Sequence, residues 1–158
     1  TCVMNEYGYT TSAENISRLQ HSTRFDNLPP DIMIIYMGNN DALVQNLNTA
    51  NFEKSYRNML NNLYTLYPNI QLFLGTLSYE KYFVGKDYYE EHVLVTAEVN
   101  RIIQSLASEY NLPIIDFATA YSDSSYLFDT IHPNVLGMKA LANVAIDAIS
   151  KFYNPTTI

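Results

Sequence analysis

The sequence predicts a three-layer α/β/α fold built on a mostly parallel sheet. Three observations predict it. Short, continuous apolar runs recur along the chain, "IMIIYM" (32–37), "IQLFLGTL" (70–77) and "IIDF" (114–117). Longer segments with apolar residues every three or four positions separate them. Each change of period is marked by a breaker: "NLPPD" (27–31), "YPN" (67–69) or "NLP" (111–113). Strands alternating with helices in this way form βαβ units. Right-handed crossovers then place helices on both faces of a parallel sheet.

The elements follow in order. "TCVM" at the start reads as the end of a strand, and Thr11 or Ser12 caps a helix running to about Gln20. The run 32–37 is rich in β-branched residues without alternation, as in a strand covered on both faces. Residues 51–66 hold Phe52, Tyr56, Met59, Leu60, Leu63, Tyr64 and Leu66 at the spacing of three and four that makes an amphipathic helix. The strand 70–77 is followed by a Tyr- and Lys-containing loop at 78–86. Residues 87–110 form a long helix with Val95, Val99, Ile102, Ile103 and Leu106 on one side. After the strand 114–117, a polar loop (118–131) leads into a last helix, with Pro133 near its first turn.

A chain of 158 residues suits a single domain spanning 1–158. Its net charge of -7, with no cluster of Lys or Arg, excludes a phosphate-neutralising surface and so a nucleic-acid partner. No apolar run reaches the roughly 18 residues that cross a bilayer. The lone cysteine, Cys2, excludes an internal disulfide. Neither a dinucleotide-binding G-x-G-x-x-G, nor a phosphate-binding P-loop, nor a G-x-S-x-G nucleophile elbow is present.

Three short stretches carry residues capable of chemistry. In a parallel sheet, ligands bind at the carboxyl ends of strands, and "GNND" (38–41) lies at such an end. Gly38 permits a sharp exit turn, and the Asn40 amide is a neutral donor suited to a developing oxyanion. The plainer reading is a turn, since Gly, Asn and Asp all favour one. In "DTIHPN" (129–134), Asp129 and His132 stand three apart before a helix. The carboxylate there could hold one imidazole nitrogen and leave the other as a general base; helix capping beside a chance histidine is the alternative. In "GYTTS" (8–12), Gly8 could present its backbone N–H as a second oxyanion donor, or simply belong to a loop and helix cap. One histidine with one aspartate makes no zinc set. His21 and His92 sit in ordinary helical segments, and Glu90–Glu91 reads as a solvated face.

Taken in order, Gly8, "GNND", Asp129 and His132 resemble the SGNH (GDSL-like) hydrolases. "NEYGYTTS" is similar to that family's block bearing the oxyanion glycine, "GNND" to its G-x-N-D block, and "DTIHPN" to its D-x-x-H block. The flanking "PDIMIIYM", "YNLPIIDF" and "NVLGMKALA" also look like the family, so the resemblance covers nearly the whole chain. It implies a flavodoxin-like α/β/α fold and a serine esterase, with His132 as base, Asp129 as its orienting acid, and Asn40 and Gly8 as oxyanion donors. It implies no metal or organic cofactor, and a small-molecule ester as substrate. Short acyl groups, carbohydrate O-acetyl esters and lysophospholipids all fall within the family; the Tyr-rich segment 78–89 favours acyl groups on sugars.

One departure stands out. The family's nucleophilic serine lies in a G-D-S block that this sequence lacks. Residue 1 aligns with the family's second strand, so the first strand, the nucleophile turn and the following helix have no counterpart. Ser78 follows a later strand and Ser12 suits a helix cap; neither is nominated as the nucleophile. The expectation is an esterase whose serine block lies upstream, with the 158 residues alone inactive. The competing expectation is a non-catalytic, ligand-binding relative.

Overall fold

The computed structural model describes residues 16–17, 29–43, 46–78, 89–120, 124–129 and 132–154. Three strands, β1 (Ile32–Ile35), β2 (Gln71–Gly75) and β3 (Ile114–Ile115), form a sheet in that order. Both pairings are parallel, with Ile34 opposite Phe73 and Gly75 opposite Ile115. Helices α1 (Asn39–Ala42), α2 (Thr49–Leu66), α3 (Tyr89–Glu109) and α4 (Val135–Tyr153) accompany them among the described residues. Ile16 and Ser17 are also helical. The mostly parallel, helix-flanked architecture is the one the sequence predicts. The predicted "TCVM" strand lies outside the described residues.

Helix α2 buries Phe52, Tyr56, Met59, Leu60 and Leu63 of the predicted stripe and leaves Tyr64 and Leu66 half-buried. It starts two residues earlier than expected because the Asn48 side chain accepts the Asn51 N–H at 3.0 Å. Helix α3 ends where Asn111 turns into the left-handed region (φ 52°) and the Leu112 N–H reaches back to the Ala107 carbonyl at 2.7 Å. These two helices cover one face of the sheet, over Leu72, Leu74 and Ile35, and Ile16 belongs to the same core. Helix α4 covers the opposite face, where Leu141 packs with Phe73, Ile115 and Phe117. Burying each such side chain contributes about 1.5–3 kcal/mol.

Three expectations are corrected. The first strand stops at Ile35, because Tyr36 and Met37 already lead into the Gly38 turn. It is also not covered on both faces: Ile32 and Ile34 remain 39% exposed. The third strand is only Ile114–Ile115; Phe117–Thr119 wind into a 3₁₀ turn that brings the Phe117 ring over Gly75. A Cβ on Gly75 would lie 2.5 Å from that ring, so only glycine fits. Pro133 stands at the start of the last helix as expected, one residue before its cap, Asn134.

Candidate active site

Because every described strand is parallel, their three carboxyl ends share one edge of the sheet. The chain segments leaving that edge are tied together by buried polar contacts. The Thr76 hydroxyl, just past β2, donates to Asp116 Oδ1 just past β3 (2.9 Å) and accepts the Ala118 N–H (3.0 Å). Asn100 of α3 clamps Leu77 on both sides: its Oδ1 accepts the Leu77 N–H (2.6 Å) and its Nδ2 donates to the Leu77 carbonyl (2.9 Å). Ser78 is buried, with its hydroxyl 3.4 Å from that of Tyr36.

Asn40 lies in α1, directly after β1. The turn that delivers it needs glycine, since Gly38 has φ 122° and a Cβ there would sit 3.3 Å from the Phe52 ring. Asp41 beside it is buried. The far end of α1 is held by His92 of α3, whose Nδ1 lies 3.0 Å from the Ala42 carbonyl. A carbonyl only accepts, so Nδ1 carries the proton. Burial holds the His92 imidazole below the usual histidine range, against the opposing pull of that carbonyl. Glu91 is half-buried and accepts the Asn46 N–H at 3.3 Å, so it is not purely a solvated face.

Asp129 and His132 meet as the spacing suggests. His132 Nδ1 is 2.8 Å from Asp129 Oδ2, and the His132 backbone N–H donates to Asp129 Oδ1 at 2.7 Å. The carboxylate therefore fixes the ring tautomer and leaves Nε2 as the basic nitrogen. The His132 side chain is 73% exposed at the surface of the loop.

The loop owes its shape to two residues that the sequence reading did not single out. Asn134 uses both ends of its amide. Its Oδ1 accepts the N–H groups of Leu136 (2.8 Å) and Gly137 (3.1 Å), and its Nδ2 donates to the carbonyls of Ser125 (2.7 Å) and Leu127 (3.1 Å). Gly137 lets this loop sit against α4, since a Cβ there would lie 2.3 Å from the Tyr126 carbonyl oxygen. The Asn after His-Pro, with Gly three residues on, was the available signal. His92 and Asn100 gave none, because their partners are backbone groups about fifty and twenty-three residues away.

The structure thus places Asn40 at the carboxyl end of β1 and joins Asp129 to His132. Gly8 lies outside the described residues. Among the described residues, no group of three or more His, Cys, Asp or Glu is arranged to hold a metal ion. No described helix is long and apolar enough to cross a membrane.

The sequence model of the GDSL-like lipase/acylhydrolase family matches residues 5–140. The chain belongs to that family. A search of curated protein sequences found no match. Solved structures of similar fold include a GDSL-like lipase from Bacteroides thetaiotaomicron, 18% identical, with a TM-score of 0.67 over 90% of this chain and 72% of the other. An acetylxylan esterase from Geobacillus stearothermophilus is 18% identical, with a TM-score of 0.66 over 89% and 68%. A family 3 carbohydrate esterase from Clostridium thermocellum is 20% identical, with a TM-score of 0.63 over 90% and 66%. At these identities the likeness concerns the fold, which is that of the GDSL-like hydrolases. About a quarter to a third of each of these chains has no counterpart here.

Proposed function

We propose that this chain carries the acid, base and oxyanion donors of a serine esterase acting on short acyl groups, with acetylated carbohydrate as the favoured substrate class. The observation that supports it most is the Asp129–His132 pair. One carboxylate oxygen takes the imidazole N–H and the other takes the backbone N–H, so the ring is held while Nε2 faces outward. In the proposed reaction a serine attacks the ester carbonyl as Nε2 takes its proton. The Asn40 amide and the Gly8 N–H receive the charge that develops on the carbonyl oxygen. His132 then returns the proton to the departing alcohol, and water releases the acid by the reverse sequence. Asp129 orients the ring and stabilises the imidazolium. Of the solved structures of this fold, one is an acetylxylan esterase and another a carbohydrate esterase, and the tyrosines at 78–89 suit stacking on sugar rings.

No serine within residues 1–158 is assigned as the nucleophile. That role falls to the serine of a G-D-S block of the family's kind, which these 158 residues do not contain, and on this reading the 158 residues alone are inactive. The test compares the chain with a version extended by its upstream coding sequence, using p-nitrophenyl acetate and acetylated xylo-oligosaccharides. The extended protein should hydrolyse the esters, and His132→Ala should lower kcat by at least about a hundredfold. An unchanged rate in His132→Ala would overturn the mechanism, and robust serine-dependent turnover by residues 1–158 would overturn the source of the nucleophile.

A further inference from the structure

Helix α1, which carries Asn40, is a single turn. It closes with the Ala42 N–H on the Gly38 carbonyl at 2.9 Å, and Gly38, its N-cap, has no side chain to add a bond. A turn this short does not hold itself, because starting a helix orders several residues for one hydrogen bond. Its place is set by what packs against it, and Asp41 and Ala42 are both buried.

Three polar side chains of α3, His92, Thr96 and Asn100, are buried and stand four residues apart, so they share one face of that helix. Burying polar groups costs stability unless they are bonded, and apolar side chains would fill the same space without that cost. Two of the three spend their polar atoms on backbone at the carboxyl edge of the sheet. His92 Nδ1 donates to the Ala42 carbonyl at the far end of α1 (3.0 Å). Asn100 fixes Leu77 by both its N–H and its carbonyl, and the Leu77 side chain lies against Gly38, 3.4 Å from where a Cβ would stand. Beside His92, Glu91 Oε1 accepts the Asn46 N–H (3.3 Å), where the backbone turns left-handed (φ 56°) just beyond α1. Helix α3 thus grips α1 at both ends, directly through His92 and at Gly38 through Leu77. Asn40 sits between the two grips and is half-buried.

We propose that His92 is a positioning residue for Asn40: its bond to the Ala42 carbonyl sets the turn α1, and through it the place of the Asn40 amide at the sheet edge. The inference rests on the esterase reading for the part Asn40 plays in the reaction, and on the geometry for the rest. An oxyanion donor works within a window of about 2.7–3.1 Å from the developing charge. A misplacement of about 1 Å costs about a hundredfold in rate. One unsupported turn does not keep a side chain within that tolerance, and the buried imidazole supplies the support from behind. It does so as the neutral ring with its proton on Nδ1, since burial opposes a second proton.

The test follows the isotope-labelled 158-residue chain by NMR. His92→Leu removes the donor and keeps the bulk. Exchange of the Ala42 amide should then quicken about tenfold or more, and the Asn40 side-chain amide signals, identified by their loss in Asn40→Asp, should move. Amides of Leu72–Leu74 in β2 should keep their rates within about twofold. His92→Asn, whose amide nitrogen falls where Nδ1 stood, should restore both readouts. His92→Gln, one carbon longer, should not, and this pair decides the matter if His92→Leu does not fold. Thr96→Val should change neither readout, since the Thr96 hydroxyl has no partner among the described residues. Unchanged Ala42 exchange in His92→Leu, an acceleration shared equally by β2, or the same behaviour in His92→Asn and His92→Gln would each overturn the proposal. These readouts need no turnover, so they stand apart from the esterase reading. In the extended protein, His92→Leu should lower kcat on p-nitrophenyl acetate about tenfold or more with KM held within about twofold, and His92→Asn should recover it. A kcat lost in Asn40→Ala but kept in His92→Leu would overturn the proposal, whereas full turnover in Asn40→Ala would overturn the oxyanion role in the esterase reading instead.

Discussion

Replacing Gly137 with alanine sets two effects of opposite sign against each other. Gly137 lies within the first turn of α4, where its dihedrals are ordinary for a helix and intrinsic propensity favours alanine by about 1 kcal/mol. Packing argues the reverse. The new Cβ would lie 2.3 Å from the Tyr126 carbonyl oxygen and 2.8 Å from Pro133 Cβ. An ordinary contact needs roughly 3.4 Å, so the loop must withdraw by about 1 Å. That withdrawal cannot be local, because the same carbonyl accepts the Asn134 N–H at 2.9 Å and Leu127 is bridged to Pro133. Overpacking of this kind costs about 1–3 kcal/mol, which outweighs propensity at all but its lower limit. Urea denaturation should show a net loss of up to about 2 kcal/mol, and the thermal midpoint should fall by up to about 8 °C. On the proposed esterase reading, a displacement of 1 Å at His132 should lower kcat by about a hundredfold. A Gly137→Ala chain as stable as the parent, with unchanged turnover, would refute the claim that this glycine is required by the approach of the Asp129–His132 loop.

Three further outcomes are expected. Asn100→Leu leaves the N–H and carbonyl of buried Leu77 without partners and should cost about 2–5 kcal/mol in urea denaturation; a loss below about 1 kcal/mol would show that the clamp is dispensable. Tyr56 is fully buried, its hydroxyl has no hydrogen-bond partner among the described residues, and burial pushes its phenol well above the usual range. Tyr56→Phe should therefore stabilise by about 1 kcal/mol, and a loss of that size would reveal a partner for the hydroxyl. His92 resists protonation in the folded chain, whereas the unfolded chain takes up its proton near the ordinary 6.5. Below that pH the unfolded state binds more protons, so stability falls as pH drops through 6.5 and is unaffected by this group well above it. His92→Gln should flatten that part of the profile; parallel urea midpoints for the two proteins between pH 7.5 and 5 would exclude the effect.

The period of the sequence was enough to locate every described strand and long helix, because burial against a sheet imposes a spacing of three and four on helices and continuous apolar runs on parallel strands. Ends were less legible. Asn48 and Asn134 start their helices through side-chain bonds to N–H groups two or three residues on, and the third strand yields to a 3₁₀ turn for the sake of the Phe117 ring over Gly75.

The same division holds for the site. Asp129 and His132 are three residues apart, so their meeting is a local event that the sequence itself determines, as is the glycine turn that delivers Asn40. The struts behind them are not local. His92 reaches the Ala42 carbonyl and Asn100 holds Leu77 only after α3 has folded across the sheet, and nothing in a lone His or Asn on a helix announces a backbone partner far along the chain. The open face of β1 belongs with these. In sequence, "IMIIYM" reads as a strand buried on both sides, which is what its side chains call for. Only the tertiary structure shows Ile32 and Ile34 uncovered, since exposure depends on which element comes to lie above a residue and not on the residue itself.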